Sequence, residues 1–127
     1  MTAAERRFPP TELAPSRARR FVASMLERWH CDDVAESAHL LTSEVVSDAI
    51  RQAPSDVAVH VQADDDVVRV EVSDDPGLLF EPEQSAFERR AGRHVLRSLA
   101  SRWGSDLDRN RTTTWFELRR GRKPKTA

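Results

Sequence analysis

Apolar residues recur along this chain with two different periods, and the period changes at Pro54. Before it, Ala18, Phe21, Val22, Met25 and Trp29 fall at helical spacing. They predict an amphipathic helix from Pro15 to about Trp29-His30, with Thr11 or Ser16 available as its cap. A second stripe, Leu41, Val45, Val46, Ala49, Ile50 and Ala53, predicts another helix; Asp32 or Asp33 offers its N-cap and Pro54 stops it. Upstream of both, Arg6-Arg7-Phe8-Pro9-Pro10 is short and ends in two prolines, which suits an edge strand.

Beyond Pro54 the pattern alternates. Val57, Val59 and Val61 interleave with Ala58, His60 and Gln62, and Val68, Val70 and Val72 with Arg69 and Glu71. Residues Ala63 to Asp66 join the two runs, so they predict an antiparallel hairpin with its valines facing one layer and the acids Asp64 to Asp66 at its tip. Ser73 to Ala91 holds two prolines and little periodicity; a connection of that length within one domain is a functional candidate. Val95, Leu96, Leu99 and Trp103 then predict a third helix from Gly92, stopped by Gly104. Asp106-Leu107-Asp108 and Thr112 to Arg119 predict a last pair of strands around Arg109-Asn110-Arg111. The order β-α-α-β-β-loop-α-β-β implies an α+β two-layer sandwich: a mixed, mostly antiparallel sheet with about three helices on one face.

Composition narrows the reading without naming a function. The 127 residues suffice for one core, and 39% apolar content is above that of a disordered chain. One domain over residues 1–118 is expected, followed by a basic, disordered tail over 119–127. Lys and Arg number 20 against 21 Asp and Glu, so no global charge draws the chain to nucleic acid or an anionic membrane. Cys31 is the single cysteine, which excludes an internal disulfide. No apolar stretch reaches the length of a signal peptide or a membrane span, and a cytoplasmic location is expected. The cluster His30-Cys31-Asp32-Asp33 contains metal-capable types, yet adjacent residues cannot all converge on one ion.

Three short stretches carry candidate chemistry. In Leu41-Thr42-Ser43-Glu44-Val45-Val46-Ser47-Asp48-Ala49-Ile50, spacing of four puts Glu44 and Asp48 on adjacent turns of one helix. On the helical wheel Glu44 lies on the polar side and Asp48 at its edge, where solvated acids are common. In Val70-Glu71-Val72-Ser73-Asp74-Asp75-Pro76-Gly77, Asp74 ends a core strand, a place where Asp is also an ordinary turn former. In Ala91-Gly92-Arg93-His94-Val95-Leu96, a glycine at a helix start lets backbone N–H groups approach an anion.

Taken in this order, the stretches resemble the ATP-binding boxes of the GHKL superfamily (gyrase, Hsp90, histidine kinase and MutL ATPases). The anti-sigma-factor serine kinase branch, abundant in actinobacteria, is the most similar, and the resemblance runs from about Phe8 to Leu118. It implies the Bergerat ATP-binding fold. It also implies ATP and Mg²⁺ as cofactors, with Glu44 as general base and Asp48 on the metal. Asp74 would take the adenine amino group, Gly77, Gly92 and Arg93 would lie along the nucleotide, and Thr113 would help hold Asp74. Three positions depart from the family pattern: Asp48 stands for an Asn, Pro76 falls where a glycine is usual, and His94 replaces a second glycine. All three fall where nucleotide, metal or phosphate would sit.

The resemblance therefore implies a regulatory protein acting through protein–protein interaction, with weakened or lost Mg-ATP binding. Its partners would be a sigma factor, an anti-anti-sigma protein or both, and a homodimer is the assembly implied. The alternative is an active serine kinase that phosphorylates an anti-anti-sigma partner and sequesters a sigma factor. A remote alternative is nucleic-acid association through Arg119, Arg120, Arg122, Lys123 and Lys125, a run more simply read as a solvated tail.

Overall fold

The computed structural model describes residues 1–52, 55–74, 96, 98–108 and 111–121. Strand β1 (Thr2–Phe8) is followed by helices α1 (Ala14–Arg28) and α2 (Ala35–Gln52), then by strands β2 (Val57–Ala63), β3 (Val67–Asp74), β4 (Arg102–Asp108) and β5 (Arg111–Arg119). The strands form one five-stranded sheet in the order β1-β2-β3-β5-β4. Every pairing among them is antiparallel, so the expected mixed sheet is corrected at that point. Both helices pack on the sheet and on one another, which gives the two-layer α+β arrangement. No helix among the described residues is long and apolar enough to cross a membrane.

Register explains why the core lies where it does. Val59 stands opposite Val72, Val61 opposite Val70 and Val70 opposite Phe116, so the buried residues of three strands share one face. Val57, Val59, Val61, Val68, Val70 and Phe116 are each at most 1% exposed there. The helices close this layer with Ala18, Val22, Leu26, Ala38, Leu41 and Val46, all fully buried. β-branched side chains suit a pleated, half-buried surface, and the small Ala18 and Ala38 permit close approach of the helix layer.

The α1–α2 corner departs from the expected capping. Leu13 is the N-cap of α1 and makes no side-chain cap bond, while Thr11 accepts a hydrogen bond from the Leu13 amide at 3.3 Å. After α1, His30 adopts the left-handed region at φ 58°, and Cys31 N–H returns to the Leu26 carbonyl at 2.8 Å. Asp32 and Asp33 begin a short 3-10 turn, Asp32–Val34, without capping α2. Asp33 instead accepts from the Gly121 amide at 2.9 Å, and Arg120 donates to the His30 carbonyl at 2.9 Å. Arg119 belongs to β5, Arg120 and Gly121 are tied to the α1–α2 corner, and residues 122–127 of the expected tail lie outside the described residues.

The third helix is corrected as well. Leu96, Ser98 and Leu99 are helical and Leu96 is fully buried, but Arg102, Trp103 and Gly104 lie in β4. Trp103 reaches the core side by pairing with Phe116, and Gly104 pairs with Trp115 on the other face.

Candidate functional site

The helix-facing side of the sheet is apolar along most of its length and turns polar at one end. Along β3 the buried series Val68, Val70, Val72 ends in Asp74, itself 4% exposed. Along β5 the series Leu118, Phe116 gives way to Thr114, buried opposite Val72. Thr114 and Ser105 of β4 share a hydrogen bond between their hydroxyls at 3.3 Å. The Asp74 carboxylate accepts a hydrogen bond from the Thr112 amide at 2.9 Å. A charge-assisted bond of this kind stabilises by about 1.5–3 kcal/mol.

Thr113 does not take the role expected of it. Strand alternation turns its side chain to the opposite face, where its hydroxyl meets that of Ser73 at 3.0 Å. The threonine that holds Asp74 is Thr112, through its backbone. Parity with the buried Phe116 and Leu118 puts Thr112 and Thr114 on the face of Asp74 and Thr113 on the other.

On α2, Asp48 is more enclosed than the helical wheel suggests, at 4% exposure, while Glu44 is half-buried. Leu41, Val45 and Asp48 follow at i, i+4 and i+7, which carries the acid onto the packed face. Arg51, one turn on, brings its guanidinium to 3.7 Å from the Asp48 carboxylate. Thr42, fully buried on the same helix, has a hydroxyl with no hydrogen-bond partner among the described residues. Asp48 and Asp74 thus both place carboxylates in the interior, one on the helix and one on the sheet. Gly77, Gly92 and Arg93, with the departures Pro76 and His94, lie outside the described residues.

The metal and cofactor expectations meet this geometry unevenly. Asp74 is a buried acceptor fixed in orientation, which fits an amino group presented to it. Asp48 and Glu44 are hard oxygen donors of the kind Mg²⁺ takes, usually one or two at a time with phosphate and water completing the shell. Among the described residues, no group of three His, Cys, Asp or Glu side chains converges as a protein-only metal cage. The His30-Cys31-Asp32-Asp33 run diverges: Cys31 is buried while His30 is exposed. Burial pushes the Cys31 thiol up, Arg120 opposes this, and Asp33 and Asp32 add to the rise, so the thiol is neutral at neutral pH.

The opposite sheet face, which the sequence reading passed over, carries a polar network. Arg69 donates to Glu71 and to Glu117, each at 2.8 Å, and Arg102 lies 3.4 Å from Glu117. The Arg69 guanidinium lies 4.1 Å from the centre of the Trp115 ring, a cation–π contact.

No protein-family model matches the chain, and no curated protein matches its sequence.

Proposed function

We propose that this chain is a regulatory protein-interaction domain of the GHKL anti-sigma-factor serine kinase type, with weakened or lost Mg-ATP binding. The observation that carries the reading is the polar end of the buried sheet face, where the Thr112 amide holds the Asp74 carboxylate. An acceptor of that kind is what recognition of an adenine amino group needs. Asp48 supports the weakened half of the proposal. An interior carboxylate in place of an amide adds negative charge where a triphosphate would approach, and like charges repel most strongly out of water. When bound, Mg-ATP would supply the phosphoryl group for transfer to a serine; Asp74 would orient the base and Asp48 would offer an oxygen to the metal. The partner proposed is a sigma factor or an anti-anti-sigma protein.

Calorimetric titration of the intact chain with Mg-ATP tests this. Binding at millimolar concentration or none, together with capture of a sigma or anti-anti-sigma protein, is the expected result. Tight binding abolished by Asp74→Asn, with phosphate transfer to a partner serine, would replace it with the active kinase.

A further inference from the structure

A groove of about 440 Å³ runs between β1 and α1, two strands across from Asp74 at the same end of the sheet, since Phe8 stands opposite Val57 and Val57 opposite Asp74. Its floor is aromatic: the Phe8 and Phe21 rings lie 6.2 Å apart at 57°. Its walls are cationic. Arg6 points to the helix side of β1, opposite Val59, and its guanidinium lies 5.5 Å from the centre of the Phe21 ring. Arg17 and Arg20 stand one turn apart on α1, on the face that also carries Phe21 and Ser24, and Arg7 borders the same space. Arg6, Arg17 and Arg20 have no ion-pair partner among the described residues. Four arginines at one groove contrast with a formal net charge of -1 for the whole chain.

The second observation is backbone geometry. β1 is an edge strand that pairs with β2 on one side, and no described residue pairs with its other side. Such an edge presents N–H and C=O groups to any extended chain laid along it. Proteins commonly blunt exposed edges with proline or charge; here Pro9 and Pro10 fall just beyond the strand, and the charges within it, Glu5, Arg6 and Arg7, select against a like-charged edge while leaving the backbone open to a complementary one. A phosphate or a nucleic acid could meet the arginines but has no use for a strand edge. An extended acidic peptide uses both.

We propose that the β1–α1 groove receives an extended acidic segment of a partner protein, which adds to the sheet beside β1 and sets its carboxylates against Arg6, Arg17 and Arg20. Side chains of an added strand alternate between faces, so every second residue meets the arginines and the Phe8–Phe21 floor. The recognised segment is therefore one in which acids and apolar residues share one face, over a length near that of β1. This rests on the protein-interaction half of the proposed function and not on nucleotide binding, so the two fail separately.

The test titrates the intact, isotope-labelled chain with a synthetic peptide of about eight residues, a usual strand length, in which every second position is Glu or Val by turns and the positions between are Ser, so that both types share one face. Amide shifts confined to β1 and α1 are the expected result. Arg17→Ala with Arg20→Ala should weaken binding about tenfold or more, and added salt should weaken it further. Both arginines are exposed, and an unchanged spectrum elsewhere shows that the variant folds. A peptide of the same sequence with alternate backbone nitrogens methylated should lose binding, because it cannot donate to the edge. The idea is overturned if the Glu-Val peptide leaves β1 and α1 unshifted, or if the methylated peptide binds equally well. It is also overturned if inorganic phosphate or a single-stranded oligonucleotide gives the same shifts with higher affinity. Failure of Mg-ATP binding has no bearing on any of these outcomes.

Discussion

Asp74 and Thr112 are 38 residues apart in sequence, yet the carboxylate of one lies 2.9 Å from the amide of the other across the ends of β3 and β5. The bond joins the central strand to its neighbour at the point where their buried face becomes polar. Asp74→Ala leaves the Thr112 N–H without this acceptor, and a loss of about 1–3 kcal/mol is expected in urea denaturation. Asp74→Asn keeps an acceptor oxygen and should cost less, which separates the structural role of the residue from its proposed part in nucleotide recognition.

Gly104 is required by its neighbour across the strand. A Cβ there would come within 2.8 Å of the Trp115 ring, so Gly104→Ala must displace the indole or the strand. A cost of about 1–3 kcal/mol is expected from the overpacking. Trp115→Leu should remove most of that penalty, and a double-mutant cycle on the two positions measures the coupling.

His30 carries the single positive φ among the described non-glycine residues. An L side chain in that region costs roughly 1–2 kcal/mol, and glycine returns part of this as unfolded-chain freedom. His30→Gly should therefore stabilise by about 0.5–1 kcal/mol, seen as a higher thermal midpoint. The Arg120 contact goes to the His30 carbonyl and survives the change.

Asp64 organises the β2–β3 turn by accepting from the amides of Asp66 at 2.7 Å and Val67 at 2.8 Å. Those two bonds, in that order, hold its carboxyl below the ordinary value of 3.8. A group whose folded pKa is depressed contributes stability above its unfolded pKa and loses it as pH falls through the folded one. A carbon-detected NMR titration should place the Asp64 midpoint below 3.8, and Asp64→Asn should remove that part of the acid dependence.

The parts of this fold that follow from one-dimensional periodicity were legible. The α1 and α2 stripes and the valine hairpin follow from spacing alone, and the edge position of β1 from the two prolines after it. Spacing also misled where two periods coincide. Leu99 and Trp103 stand four apart as in a helix, but Trp103 reaches the core as a strand residue opposite Phe116. The stripe that ran through Met25 passed over Leu26, which is fully buried while Met25 is only partly so. For the candidate site, Asp74 and Asp48 were named from sequence, whereas Thr113 was one residue off. A strand reverses its face with each residue, so that single step moved the side chain through the sheet. The Arg69–Trp115 network and the arginine groove depend on strand order, which local pattern does not encode.

Strand order has a further consequence for how the molecule comes into being. β3 lies at the middle of the sheet, and of its two neighbours β2 precedes it by a short turn while β5 comes late in the chain. As the chain leaves the ribosome, β1, β2 and β3 can assemble with both helices while one edge of β3 waits unpaired for β5. During that interval Val68, Val70 and Val72 stand in a strand whose second partner has not been made. The nascent protein is therefore most vulnerable to wrong pairing just before its last strand emerges, and a chaperone would be of most use to it at that moment.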